Sequence, residues 1–274
     1  MCDEISCRAN YDHLPPMVVP DEQRRAFMKG ALSLPLAAIL LDPALARAAA
    51  ASGGESVTLT SDSGVKSSAY VALPEAEQAP TLLLFHEWWG LNDQIKSVAR
   101  EFANEGFIAV AIDLYQGRVA TSRDEARAYK DGVDSQWANA AVSGWIEWLK
   151  QHSRSNGKVA TLGWCYGGGW SLDASLLAPI DATVIYYGSV ARKADELKPL
   201  KGPILGHFGT LDKFINEKMV GAFERELDKN GHPYHNYWYT ADHAFANPTG
   251  ARYDADDAAL SWSRTLAFLH KHLD

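Results

Sequence analysis

Gly163-Trp164-Cys165-Tyr166-Gly167-Gly168 is the stretch on which the reading of this chain turns. An apolar run suited to a β-strand, Val159-Ala160-Thr161-Leu162, leads into it. A run suited to a helix, Gly169 to Ala178, follows and stops at Pro179. Strand, sharp turn of small residues and helix together form the setting of a nucleophile elbow. Glycines flank the apex because its backbone is forced into a strained turn, where neighbouring Cβ atoms would clash. The apex residue is Cys165. Its side chain would point up from the sheet, above a helix N-terminus whose partial positive charge favours a thiolate. The same short pattern also suits a buried structural cysteine, so the rest of the chain has to decide.

Working outward, apolar runs alternate with helix-type periodicity. Thr81 to Phe85, Phe107 to Ile112, Ala182 to Tyr187, Ile204 to Phe208 and Tyr234 to Tyr239 read as further strands. Two short strands, Val57 to Thr60 and Ser67 to Leu73, precede them, with a turn at Asp62-Ser63-Gly64. Helices are expected from the Asn92 cap to Glu105-Gly106, over Arg123 to Lys130, Asp134 to His152, Asn216 to Lys229 and Asp254 to Leu273. This alternation predicts an α/β fold, a mostly parallel central sheet with helices on both faces. Sites in such sheets form outside the carboxyl ends of the strands. Glu87, Asp113, Cys165, Asp212 and His243 all fall at such ends.

The chain of 274 residues has 26 basic and 34 acidic residues, a formal net charge of −8, and no basic stripe. That argues against a nucleic-acid partner. Residues 1–48 read as an N-terminal extension and 49–274 as one domain. Within the extension, Arg24-Arg25 followed by Phe27-Met28-Lys29 resembles a twin-arginine export signal. An apolar run from Ala31 to Leu41, too short for a stable membrane span, precedes small-x-small cleavage patterns around Ala46 and Ala48. Export to the periplasm through the twin-arginine machinery is therefore expected. Cys2 and Cys7 lie in this extension, which leaves Cys165 as the only thiol of the domain.

Cys165, Asp212 and His243 follow the order nucleophile, acid, histidine found in α/β-hydrolases. His243 would move the proton and Asp212 would orient the imidazole. The backbone N–H groups of Trp88 and Tyr166 are the expected oxyanion donors. Glu87 near a thiol would either raise its pKa or take its proton, depending on distance. Alone, His243 reads equally well as a loop histidine, Asp212 as a turn residue and Glu87 as a helix-capping carboxylate. No metal site is expected: His86-Glu87 lacks the second histidine of a zinc-protease motif, since Gly90 stands there. His270 and His272 are two apart on a terminal helix, where they would face different ways into solvent.

Taken with His86-Glu87-Trp88-Trp89-Gly90-Leu91-Asn92, Asp113-Leu114-Tyr115, Gly209-Thr210-Leu211-Asp212 and Asp242-His243-Ala244-Phe245, the elbow makes the chain similar to dienelactone hydrolases over about residues 57–274. The resemblance implies an α/β-hydrolase fold and a Cys165-Asp212-His243 triad, with Glu87 beside the resting nucleophile. It implies hydrolysis of small lactones or esters, with carboxymethylenebutenolide as the type substrate and no cofactor. Trp88, Trp89, Tyr115 and Tyr129 are candidates for the pocket lining. Two positions depart from the family. Its two substrate-binding arginines correspond to Asn247 and Glu125. Two other function classes fit the same sequence: a non-catalytic ligand-binding member of the fold, and an acyltransferase or thiol peptidase using the same triad.

Overall fold

The structure, a computed structural model, describes residues 53–274. The segment read as a twin-arginine export signal, its expected cleavage site and the expected 48/49 boundary lie outside the described residues. Eight strands form one sheet: β1 (Gly54–Thr60), β2 (Lys66–Ala72), β3 (Ala79–Phe85), β4 (Ile108–Ile112), β5 (Ser155–Trp164), β6 (Ala182–Tyr186), β7 (Ile204–Gly209) and β8 (Tyr234–Tyr239). Their spatial order is β1-β2-β4-β3-β5-β6-β7-β8. The β1–β2 and β2–β4 pairs are antiparallel and the remaining pairs are parallel. The mostly parallel sheet with helices on both faces is thus observed. Among the described residues no helix is long and apolar enough to cross a membrane.

The helices are α1 (Asp93–Asn104), α2 (Arg123–Asp131), α3 (Ser135–Gln151), α4 (Tyr166–Leu177), α5 (Ala194–Leu197), α6 (Glu217–Lys229) and α7 (Ala255–Leu273). Side chains alternate along a strand, so β3 serves two cores. Leu82 and Leu84 of β3 pack with α1 residues Ile95, Val98 and Phe102 and with Leu269 and Leu273 of α7. Leu83 and Phe85 face the other way, against Ala138, Val142, Trp145 and Leu149 of α3. A third cluster joins Ile185, Ile204 and Phe208 to Val220, Phe223 and Leu227 of α6. Side-chain caps start the helices where the sequence suggests: Asn92 accepts from the Ile95 N–H, and Asn216 from the Met219 N–H.

Several boundaries differ from the sequence reading. α4 begins at Tyr166, directly after the apex, because the glycines at 167–169 form its first turn instead of a loop. β5 starts at Ser155, since Asn156 and Gly157 extend a strand whose apolar part begins only at Val159. β6 ends at Tyr186, and Tyr187 turns out of the strand at φ 37°. The short α5 has no apolar periodicity to announce it. His270 and His272 are half-buried, packed on the Phe107 and Phe268 rings.

Candidate functional site

The elbow is built by close backbone approach. Cys165 has φ 56° and ψ −115°, an unfavourable conformation for any residue bearing a Cβ. It persists because the surrounding backbone fits tightly against it. A Cβ on Gly163 would overlap the Gly167 carbonyl, and one on Gly167 would overlap the Phe85 and His86 carbonyls. A Cβ on Gly168 would lie 2.8 Å from the Gly188 Cα. The loops after β3, β5 and β6 therefore meet at one point, which no larger side chains would allow.

Cys165 is partly exposed there. Its Sγ lies 3.1 Å from Nε2 of His243, whose Nδ1 lies 2.6 Å from Oδ2 of Asp212. The other Asp212 oxygen accepts from the Phe214 and Ile215 N–H groups at 2.7 and 3.0 Å. Those amides lock the buried carboxylate facing the ring. Burial pushes Asp212 upward, but the hydrogen bond from His243 and the two amides hold it below the usual value. Burial likewise would lower His243; its hydrogen bonds to Asp212 and Cys165 outweigh this and raise it to about 10. These two contacts favour the protonated ring, which can donate from Nδ1 to the carboxylate and from Nε2 to the sulfur. This line can transfer a proton to and from a group attacked by the sulfur.

Glu87 follows β3 and is 4 % exposed. Its described partner is Asn247, whose amide donates to Oε2, whereas the described partner of Cys165 is His243. Oε1 of Glu87 has no hydrogen-bond partner among the described residues. Burial lifts this carboxyl to about 7, against the lowering pull of Asn247 and His243. The Asn247 carbonyl oxygen accepts from the backbone N–H and hydroxyl of Thr249 at 2.9 and 2.7 Å. That fixes the amide so that its NH₂ faces Glu87.

The Trp88 and Trp89 rings pack edge to face 5.1 Å apart and are half-buried. Tyr115 is fully buried, in contact with the rings of His86, Tyr129 and Tyr166. It therefore stands behind the surface that the partly exposed Tyr129 and Tyr166 present. Asp113 caps its own loop, accepting from the N–H groups of Tyr115 and Gly117. Glu125 stands at the start of α2, where its carboxylate accepts from the backbone N–H and the hydroxyl of Thr121 at 2.7 Å. Arg118 stacks over the Tyr129 ring at 4.6 Å, and Arg252 faces Asp242 at 3.9 Å.

Sequence reasoning missed three neighbours. Asn247 appeared only as a departure, because the partner of a carboxylate 160 positions away cannot be read from spacing. The Tyr187 ring lies 5.3 Å from that of His243. Its one signal was its place at the end of the apolar run Ala182 to Tyr187, just before Gly188. Phe214 is 67 % exposed and sets its ring edge-on to His243 at 5.9 Å.

Comparison with known proteins agrees with this architecture. The model of the dienelactone hydrolase family matches residues 67–273. The chain is 32 % identical over 221 residues to the protein usf of Aquifex pyrophilus, covering 77 % of this chain and 95 % of that one. It is 28 % identical over 225 residues to carboxymethylenebutenolidase 1 of Cupriavidus pinatubonensis, covering 78 % and 96 %. Among solved structures, a putative dienelactone hydrolase from Klebsiella pneumoniae superposes with a TM-score of 0.72 at 24 % identity, over 80 % of this chain and 98 % of that one. With the matched span running from β2 to the end of α7, this chain belongs to the dienelactone hydrolase family.

Proposed function

We propose that the protein hydrolyses small carboxylic esters or lactones through an acyl-enzyme on Cys165. The observation that carries this reading is the Cys165–His243–Asp212 line of hydrogen bonds at a strained strand–helix turn. The sulfur, as thiolate, adds to the substrate carbonyl carbon, and the carbonyl electron pair moves onto oxygen. The Trp88 and Tyr166 N–H groups receive that oxyanion; Tyr166 opens α4, where a first-turn N–H has no partner within the helix. As the tetrahedral intermediate collapses, the C–O bond breaks and His243 gives its proton to the departing alkoxide. In a lactone the leaving oxygen stays attached, so the ring opens on the enzyme. Water then attacks the thioester, His243 takes its proton, and the carboxylic acid leaves as the thiolate is restored. Asp212 keeps the imidazole oriented and stabilises its charge throughout.

The family membership and the carboxymethylenebutenolidase relatives support a lactone or ester substrate. No guanidinium occupies position 247 or 125, which favours substrates without a carboxylate. Export to the periplasm is part of the same proposal and rests on the Arg24-Arg25 segment. The decisive measurement is turnover of a small ester by wild type and Cys165→Ala, with intact-protein mass after rapid acid quench. The reading requires an acyl adduct on Cys165 in wild type and background rates in the variant. Equal turnover by the two proteins would overturn it.

A further inference from the structure

His86 is buried, belongs to none of the hydrogen bonds of the proposed triad, and ties two loops of the site together. Its Nε2 lies 3.2 Å from the Leu114 backbone nitrogen, which can only donate. Nε2 must therefore accept, and the ring proton sits on Nδ1. Nδ1 then donates to the Glu87 carbonyl at 2.6 Å. The Gly90 N–H also donates to that oxygen, at 3.2 Å, closing the turn Glu87-Trp88-Trp89-Gly90. A peptide unit is planar and here trans, so its N–H points opposite its C=O. Holding the Glu87 oxygen therefore determines where the Trp88 N–H points. No described carbonyl accepts that N–H. On its other side the Phe85–His86 backbone touches Gly167, in the first turn of α4 that also carries the Tyr166 amide.

We propose that His86 is a positioning residue for the oxyanion pocket: it anchors the Glu87–Trp88 peptide to the loop after β4 and so aims the Trp88 N–H at the developing negative charge. This rests on the hydrolase reading above. A neutral ring is required, because protonated Nε2 would turn a donor toward the Leu114 N–H. Burial suits that need and holds His86 below the usual histidine value, against the pull of the Glu87 carbonyl and Asp113. Rigid donors matter because an oxyanion gains most from hydrogen bonds that need no reorganisation, and losing one donor lowers kcat by about 10²–10³.

The test compares two reactions of Cys165 in the full-length protein. Hydrolysis of p-nitrophenyl acetate passes through an oxyanion. Alkylation by iodoacetamide displaces iodide at carbon and forms none. Alkylation is mapped at Cys165 by peptide mass, because Cys2 and Cys7 also carry thiols. His86→Phe should lower kcat and kcat/KM together, by roughly 10- to 100-fold, with the Cys165 alkylation rate within about twofold of wild type. His86→Gln, whose amide offers both N–H donors and a carbonyl acceptor, should restore turnover to within about fivefold. If His86→Phe does not fold, His86→Leu, close to histidine in volume and without a polar atom, provides the same comparison. Turnover near wild type in the apolar variant overturns the proposal. So does alkylation that falls in step with turnover, which would make His86 a general strut. Failure of the hydrolase reading looks different: Cys165→Ala would continue to hydrolyse the ester.

Discussion

The side-chain amide of Asn247 donates to the buried carboxylate of Glu87 and is held in that orientation by Thr249, so a neutral group, not a cation, is the described partner of this acid. Desolvation therefore dominates, and the carboxyl is lifted from 4.5 to about 7. A carboxyl raised in the folded state binds its proton there more readily than in the unfolded chain. Stability should fall as pH rises from about 4.5 to about 7 and then level off. At about 1.36 kcal/mol per pKa unit, the loss is on the order of 3 kcal/mol. Glu87→Gln should be indistinguishable from wild type near pH 4 and more stable at pH 8. Urea titrations at both pH values measure this. Glu101, lifted by burial to about 7, titrates in both proteins and cancels in the difference. A constant gap between the curves would show that Glu87 is not the titrating group.

Substrate charge is the second prediction. A substrate carboxylate near position 247 would meet the Glu87 acid and an amide already committed to it. Arg118 and Arg252 are already engaged by Tyr129 and Asp242. A neutral lactone should be hydrolysed with at least about tenfold higher kcat/KM than its carboxylate-bearing analogue, a gap of about 1.4 kcal/mol. The difference should lie in KM, because it concerns binding of a group remote from the reacting carbonyl. Parallel kinetics on such a pair decide it; a preference for the anion would point to Arg118 or Arg252 turning inward.

Asp212→Asn tests what holds the proton on His243. The introduced amide keeps the shape of the carboxylate but removes the charge that, with the Cys165 contact, outweighs burial and raises His243 to about 10. Turnover should drop by about 10²–10⁴ at neutral pH. The alkaline limb of kcat/KM, expected near pH 10 in wild type, should move to lower pH. Stability follows the same sign. His243 has a raised pKa, so its contribution is complete below pH 6.5 and is lost as pH climbs to about 10. A pH profile of Asp212→Asn with an unmoved alkaline limb would assign that limb to another group.

Two neighbouring glycines should behave oppositely. Gly167→Ala drives a Cβ into the Phe85 and His86 carbonyls, backbone that cannot yield without moving β3. It should destabilise by about 3 kcal/mol or more and abolish turnover. Gly169→Ala meets nothing closer than Ser189 O at 3.6 Å and sits inside α4. It should stabilise by about 0.5–1 kcal/mol through helix propensity. Thermal melts of the two variants, with turnover measured alongside, check both signs.

Much of this protein was legible in one dimension. Continuous apolar runs such as Thr81 to Phe85 suit a strand buried on both faces. Glycines at 163, 167 and 168 mark a turn that side chains would block, and strand ends announce where Glu87, Cys165, Asp212 and His243 emerge. Those are local constraints of backbone sterics and periodicity, which a sequence records directly. The 3.1 Å approach of His243 to Cys165 was inferable only as an order of residues along the chain. Asn247 facing Glu87, His86 bridging the Glu87 carbonyl and the Leu114 amide, and Phe214 lying edge-on to His243 were not inferable at all. Each joins segments far apart in the chain or sets a ring angle, and hydrogen bonds and ring contacts depend on distances of a few tenths of an ångström. Only the packing of helices on both faces of the sheet sets distances that finely.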